Sequence, residues 1–192
     1  RALARNKLHL DYDDDLFRDF VLKSRISRYE PWSAYRSELL DRFGKWAQGG
    51  VTETVQRVNK FVGNFRRAPR SPLSPVMTPL QTVRSVTVAS KMDRGVACVG
   101  ILRSLGIPAR YLEQWGWVEF HDGKRWQPLY PNRPEQLGNK TAHETAARYY
   151  NNPASLLVSF TLEGESLPPG RSRYFREFSL SIFPVTRTAG GE

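Results

Sequence analysis

The chain has 192 residues, 40 % hydrophobic and 12 % aromatic, which suits one sizeable core and excludes a disordered tail or a peptide-sized scaffold. Its 29 Lys and Arg against 19 Asp and Glu leave a net charge of +10, and one Cys with three scattered His excludes a disulfide framework and a multi-cysteine zinc or iron–sulfur site. No bound metal and no cofactor are expected, and no apolar run approaches the roughly 18 residues needed to span a bilayer.

Taken in chain order, the first half reads as helices. Asp13-Asp14-Asp15 precedes Leu16, Phe17, Phe20 and Val21, an apolar face behind an acidic N-terminal cap. Ser33 is the expected N-cap of a second helix carrying Leu39, Leu40 and Phe43, which Gly49-Gly50 ends. A third helix is expected from Thr52, with Val55, Val58, Phe61 and Val62 inward. The proline-rich stretch 66–80 reads as a loop or extended crossing, and it holds the densest basic piece, Arg66-Arg67-Ala68-Pro69-Arg70.

Ser90-Lys91-Met92-Asp93 fits a capping box, so a helix is expected from Ser90 to about Leu105, ended by Gly106-Ile107-Pro108. The period then changes. Ala109 to Leu112, Trp115 to Phe120 and Arg125 to Leu129 predict strands of an antiparallel sheet, with Asp122-Gly123 turning a hairpin. A short helix is expected over Ala142 to Tyr150, and strands over 154–162 and 174–183 across a Pro-Pro-Gly turn. The organisation predicted is α+β: one domain over 1–152, helical over 1–89 with core helix and sheet over 90–131, then C-terminal strands over 153–192 that begin an appended β-domain or pair elsewhere.

Three pieces of the central segment, "ILRSLGIPARYL" (101–112), "WGWVEFHDGKRW" (115–126) and "QPLYP" (127–131), resemble the transglutaminase-like core, a papain-like fold in which a helix bearing a nucleophilic Cys packs on a sheet bearing His and Asp. "FRDFVLKSRISRYEPWSAYR" (17–36) resembles a bacterial branch of the same superfamily. The family's Cys stands at the start of the core helix, about fifteen residues before the Gly of Gly-Ile-Pro, and that place falls on Lys91. The capping box independently makes Lys91 the first helical residue. The family's His falls on Trp115, two residues before Trp117, and its Asp on Tyr130. The resemblance therefore implies a pseudoenzyme, because Lys, Trp and Tyr replace nucleophile, base and base-orienting carboxylate.

Candidate ligand-binding residues are accordingly Lys91, Trp115, Trp117 and Tyr130, lining a former active-site cleft that either still binds or is plugged by its own aromatics. Lys91 is expected to stack over an aromatic face, with Asp93 and Asp122 keeping it charged. Cys98 lies two turns, roughly 10 Å, further along the helix on a stripe with Gly95, Leu102 and Leu105 that would face the sheet, the place of a buried core thiol. Its alternative is a relocated nucleophile of an acyltransferase or hydrolase paired with His121, itself expected to stand exposed at a hairpin end. The expected partners are a protein, peptide or glycan. Nucleic acid is the alternative, from the +10 charge and a resemblance of degenerate transglutaminase folds to part of a DNA-damage recognition family. A start at Arg1 leaves export undecided by itself, while the bacterial branch favours an exported location over a cytoplasmic one.

Overall fold

The computed structural model describes residues 12–69, 76–113, 116–137, 139, 140 and 144, with the backbone of 161–162 and 165–166. The architecture is mixed α+β, helices first and strands after. Contacts divide the chain into two units, Arg1–Asn151 and Asn152–Glu192. In the second, β6 (Thr161–Leu162) pairs antiparallel with β7 (Glu165–Ser166). The strand expected over 174–183 lies outside the described residues, as does the helix expected over Ala142 to Tyr150 apart from Glu144.

Helix α1 (Asp14–Phe17) starts where Asp13 accepts a 2.7 Å bond from the Leu16 amide, and the chain widens into a π turn over Arg18–Leu22. The second helix begins later than the sequence suggests. α2 (Arg36–Phe43) has Tyr35, not Ser33, at its cap position, and the Ser33 hydroxyl is buried without a hydrogen-bond partner. Tertiary forces set this start: Tyr35 is 1 % exposed in the core, and Arg36 donates to the Val21 and Lys23 carbonyls at 2.5 and 2.7 Å. Past Phe43 the chain tightens into a 3-10 turn over Gly44–Gly49. Gly50, at φ 84°, then opens α3 (Gly50–Gly63), which buries Val55, Val58 and Val62.

Stretch 66–80 holds more structure than a loop. β1 (Arg66–Arg67) runs parallel to β2 (Thr87–Val88), and α4 (Pro79–Ser85) begins at Thr78 in a reciprocal capping box with Gln81, Pro79 filling the first turn. The Thr-Pro-Leu-Gln pattern was readable as that box; its prolines masked it.

The core helix, α5 (Lys91–Ser104), forms as its capping box dictates, with Ser90 and Asp93 exchanging side-chain and backbone bonds. It ends in a Schellman turn: Gly106, at φ 82°, donates to Arg103 at 3.1 Å, and Ile107 donates to Leu102 at 3.0 Å. Every residue from Gly95 to Ser104 is buried, so the single sheet-facing stripe expected for Gly95, Cys98, Leu102 and Leu105 is too narrow. The helix is wrapped by α2, α3 and α4 as well as by β3 and β4.

The sheet on which α5 rests has order β3 (Ala109–Leu112), β4 (Trp117–His121), β5 (Trp126–Leu129), all antiparallel, with Gly123 at φ 103° in the hairpin. Ala109, Tyr111, Val118, Phe120 and Leu129 join the core cluster with α5. The close approach needs Gly95, where a Cβ would lie 2.4 Å from the Tyr111 ring. On the other face of β4, Glu119 is fully buried and accepts a 2.6 Å bond from Arg110, whose guanidinium lies 4.2 Å from the Trp126 ring centre. Phe20 packs edge-on against Trp126 there. Two residues quoted above for the family resemblance, Arg110 and Glu119, thus form a sheet-stabilising pair.

Candidate functional site

The N-terminus of α5 opens into a cleft of about 1260 Å³. Asp93 shapes its floor. That residue turns inward, fully buried, and its carboxyl oxygens accept from the amides of Met77 (3.0 Å), Ala89 (3.0 Å) and Ser90 (2.8 Å). One side chain thereby ties the entry to α4, the end of β2 and the start of α5 together. With position 93 turned in, Lys91 at the first helical position is exposed to the cleft.

The opposite wall comes from the sheet. Trp117 of β4 and Tyr130, just after β5, meet edge-on at 6.3 Å, and Tyr111 of β3 closes over Gly95. Burial raises the phenol pKa of Tyr130 and of Tyr111, the latter helped by Glu113 and Asp93, so both stay neutral hydrogen-bonding groups at ordinary pH. Lys91, Trp117 and Tyr130 therefore line one cleft, although 26 residues separate Lys91 from Trp117 in sequence. Trp115 lies outside the described residues.

The expectation that Lys91 stacks over an aromatic face needs correction. Among the described residues it makes no ring contact, ion pair or hydrogen bond. Asp93 is committed to backbone amides, and Asp122 accepts from Lys124 and Arg125 amides at 2.8 Å each and from Gln127 at 2.9 Å. The hairpin thus consumes Asp122 as a turn-former.

Cys98 is fully buried in the core cluster, and desolvation pushes its thiol pKa far above the ordinary range. Its imagined partner faces elsewhere. His121 shares its strand face with Glu119, packs edge-on between Tyr12 and Trp126, and accepts from the Gly123 amide at Nδ1 (3.2 Å). It is half-buried rather than exposed, and burial lowers its pKa against the opposing pull of Asp122 and Asp13. The sheet stands between this ring and the thiol. His9 and His143 lie outside the described residues.

Sequence reasoning missed the charge of the cleft. Arg67 from β1, Arg94 from α5 and Arg133 from the turn after β5 join Lys91 along it. Arg94 reaches the Phe65 carbonyl at 2.7 Å, its Nε is buried without a partner, and burial together with Arg67 lowers its pKa. The lining carboxylate, Glu113, is paired with Arg28 at 3.2 Å. A run of Arg at 66–70 was visible in the sequence, but the two-residue parallel pairing that brings Arg67 here carries no local signal.

Such a surface can hold anions and stack planar or apolar groups. Among its described lining residues there is no thiol and no imidazole. Among the described residues no cluster of His, Cys, Asp and Glu suits a metal ion, and no helix is long and apolar enough to cross a membrane. No family model, curated protein or solved structure matches the chain.

Proposed function

We propose that the chain is a transglutaminase-like, papain-like domain that has exchanged catalysis for binding, and that it serves as a recognition module for a protein, peptide or glycan held at the cleft. One observation carries this reading: the first residue of the capped core helix, where such a fold needs its thiolate, is a cleft-facing lysine. The lone cysteine two turns away is sealed in the core. Trp117 and Tyr130 supply the broad, half-exposed surfaces that recognition sites favour.

Restoring the three replaced positions together tests it. In a crystal structure of Lys91→Cys/Trp115→His/Tyr130→Asp, the new thiol, imidazole and carboxylate are expected within hydrogen-bonding reach of one another, about 3 Å and somewhat looser without substrate. Three side chains that point apart would remove the transglutaminase-like register and the pseudoenzyme reading with it.

A further inference from the structure

We propose that the cleft takes a small organic ligand bearing two or more oxyanion charges, phosphate or carboxylate, on a body that packs against Trp117 and Tyr130. This rests on the reading of the cleft as a binding site and differs from it in the occupant, a small polyanion in place of a protein, peptide or glycan.

Several arginines outside the cleft are paired with acids. Arg57 pairs with Glu53, Arg84 with Glu38, Arg110 with Glu119 and Arg28 with Glu113. The four cleft cations, Arg67, Lys91, Arg94 and Arg133, make no ion pair among the described residues. They come from three places in the chain, β1, the first turn of α5 and the turn after β5, and converge on one concavity, where dispersed solvated charge would be expected to spread out. Of the two acids nearest them, Glu113 is held by Arg28 and Asp93 is turned inward onto the Met77, Ala89 and Ser90 amides.

Hydrogen-bond donors without acceptors lie in the same place. The Arg94 Nε and the Asn132 Nδ2, both buried, have no partner, and the opening amides of α5 head a helix whose N-terminal end carries partial positive charge. A neutral sugar or peptide would leave the four like charges facing one another. A ligand with one charge would offset only part of them. Two or more oxyanions offset the cations and can accept from the opening amides of α5, and Arg in particular suits phosphate and carboxylate through paired N–H groups. The volume of about 1260 Å³ leaves room for an organic body beside the aromatic pair.

Pyrophosphate and citrate are the probes, titrated into the ¹⁵N-labelled full chain at low ionic strength. Saturable shifts are expected at the amides of Lys91 and Met92 and at the Trp117 indole, with affinity falling tenfold or more in Lys91→Gln/Arg133→Gln. Both replaced side chains are exposed, so the fold should persist, and circular dichroism checks that it does. Arg57→Gln, remote from the cleft, should leave affinity unchanged. Preference for pyrophosphate or for citrate decides between phosphate and carboxylate. Absence of saturable shifts with both probes, or shifts indifferent to the double substitution, overturns the proposal. Duplex DNA that loses binding in the double variant while neither small anion shifts the cleft also overturns it, in favour of a nucleic-acid surface there. If maltotetraose or tetraglycine moves the Trp117 indole while neither anion does, the anionic ligand falls and the binding module stands. Divergent side chains in the restoration variant would instead remove the module's ancestry and leave the anion result untouched.

Discussion

Replacing Asp93 by Ala is expected to destabilise the N-terminal unit by about 4 kcal/mol, lowering its melting temperature by about 8–16 °C. The figure follows from what the side chain holds. Its two oxygens accept from three amides, Met77, Ala89 and Ser90, and Ala would leave these part-buried donors without their acceptor. Each unmade bond of that kind costs about 1–3 kcal/mol, and the lost cap adds about 1 kcal/mol. Asp93→Asn separates hydrogen bonding from mere shape. It keeps one acceptor oxygen but turns an NH₂ towards amides that need acceptors, so a comparable loss is expected. A thermal melt of Asp93→Ala within about 0.5 kcal/mol of wild type would contradict this account of the cleft floor.

Arg103→Ala is the second large effect, about 3–5 kcal/mol by the same measurement. Arg103 is 4 % exposed near the end of α5, and its guanidinium donates to three carbonyls: Ala109 at 2.9 Å, Lys23 at 3.0 Å and Arg25 at 2.9 Å. Burial lowers its pKa, with Arg36 adding to the effect and Tyr35 opposing it, which marks a charge taken out of water for structural use. Arg103→Lys should recover only part of the loss, because a single ammonium cannot reproduce the planar fork. Lys23 and Arg25 are themselves exposed, so trypsin offers an independent check. Freed from Arg103, the segment at 23–25 should be cleaved several-fold faster. Unchanged cleavage with unchanged stability would remove Arg103 as the tie between α5 and that segment.

The sequence was most legible where structure is local. Ser90 and Asp93 announce the start of α5, Gly106 its end, and Asp122-Gly123 the hairpin, since each acts within a few residues of itself. These short-range signals suffice to place Lys91 at a helix N-terminus and Tyr130 after a strand, and hence to bring both to the same end of the sheet. Legibility failed where long-range packing overrules local preference. Ser33 is a good cap residue by type, yet the burial of Tyr35 and the reach of Arg36 to 21–23 place the helix start elsewhere.

The same limit hid most of the cleft's charge. Arg67 arrives through a pairing of two residues with two, Arg94 by its side of a fully wrapped helix, and Arg133 by a turn. None of these leaves a periodic trace. The residues quoted for the bacterial branch prove informative in another way. Glu30 accepts from the Ile26 and Ser27 amides at 2.6 Å each, and Arg36 holds the 21–23 carbonyls, so both brace the segment that Arg103 anchors. Under the proposed reading, these residues keep the frame of a cleft that binds without breaking bonds.

Alkylation followed by intact mass, on wild type and on Lys91→Cys, tests that claim most directly. At neutral pH the native wild-type chain should take up no iodoacetamide on the timescale that saturates it in denaturant, and Lys91→Cys should take up one equivalent when native and two when unfolded. Rapid labelling of native Cys98, or a thiol at position 91 that stays silent until unfolding, would contradict it: the first makes Cys98 a working nucleophile, and the second takes Lys91 out of the cleft.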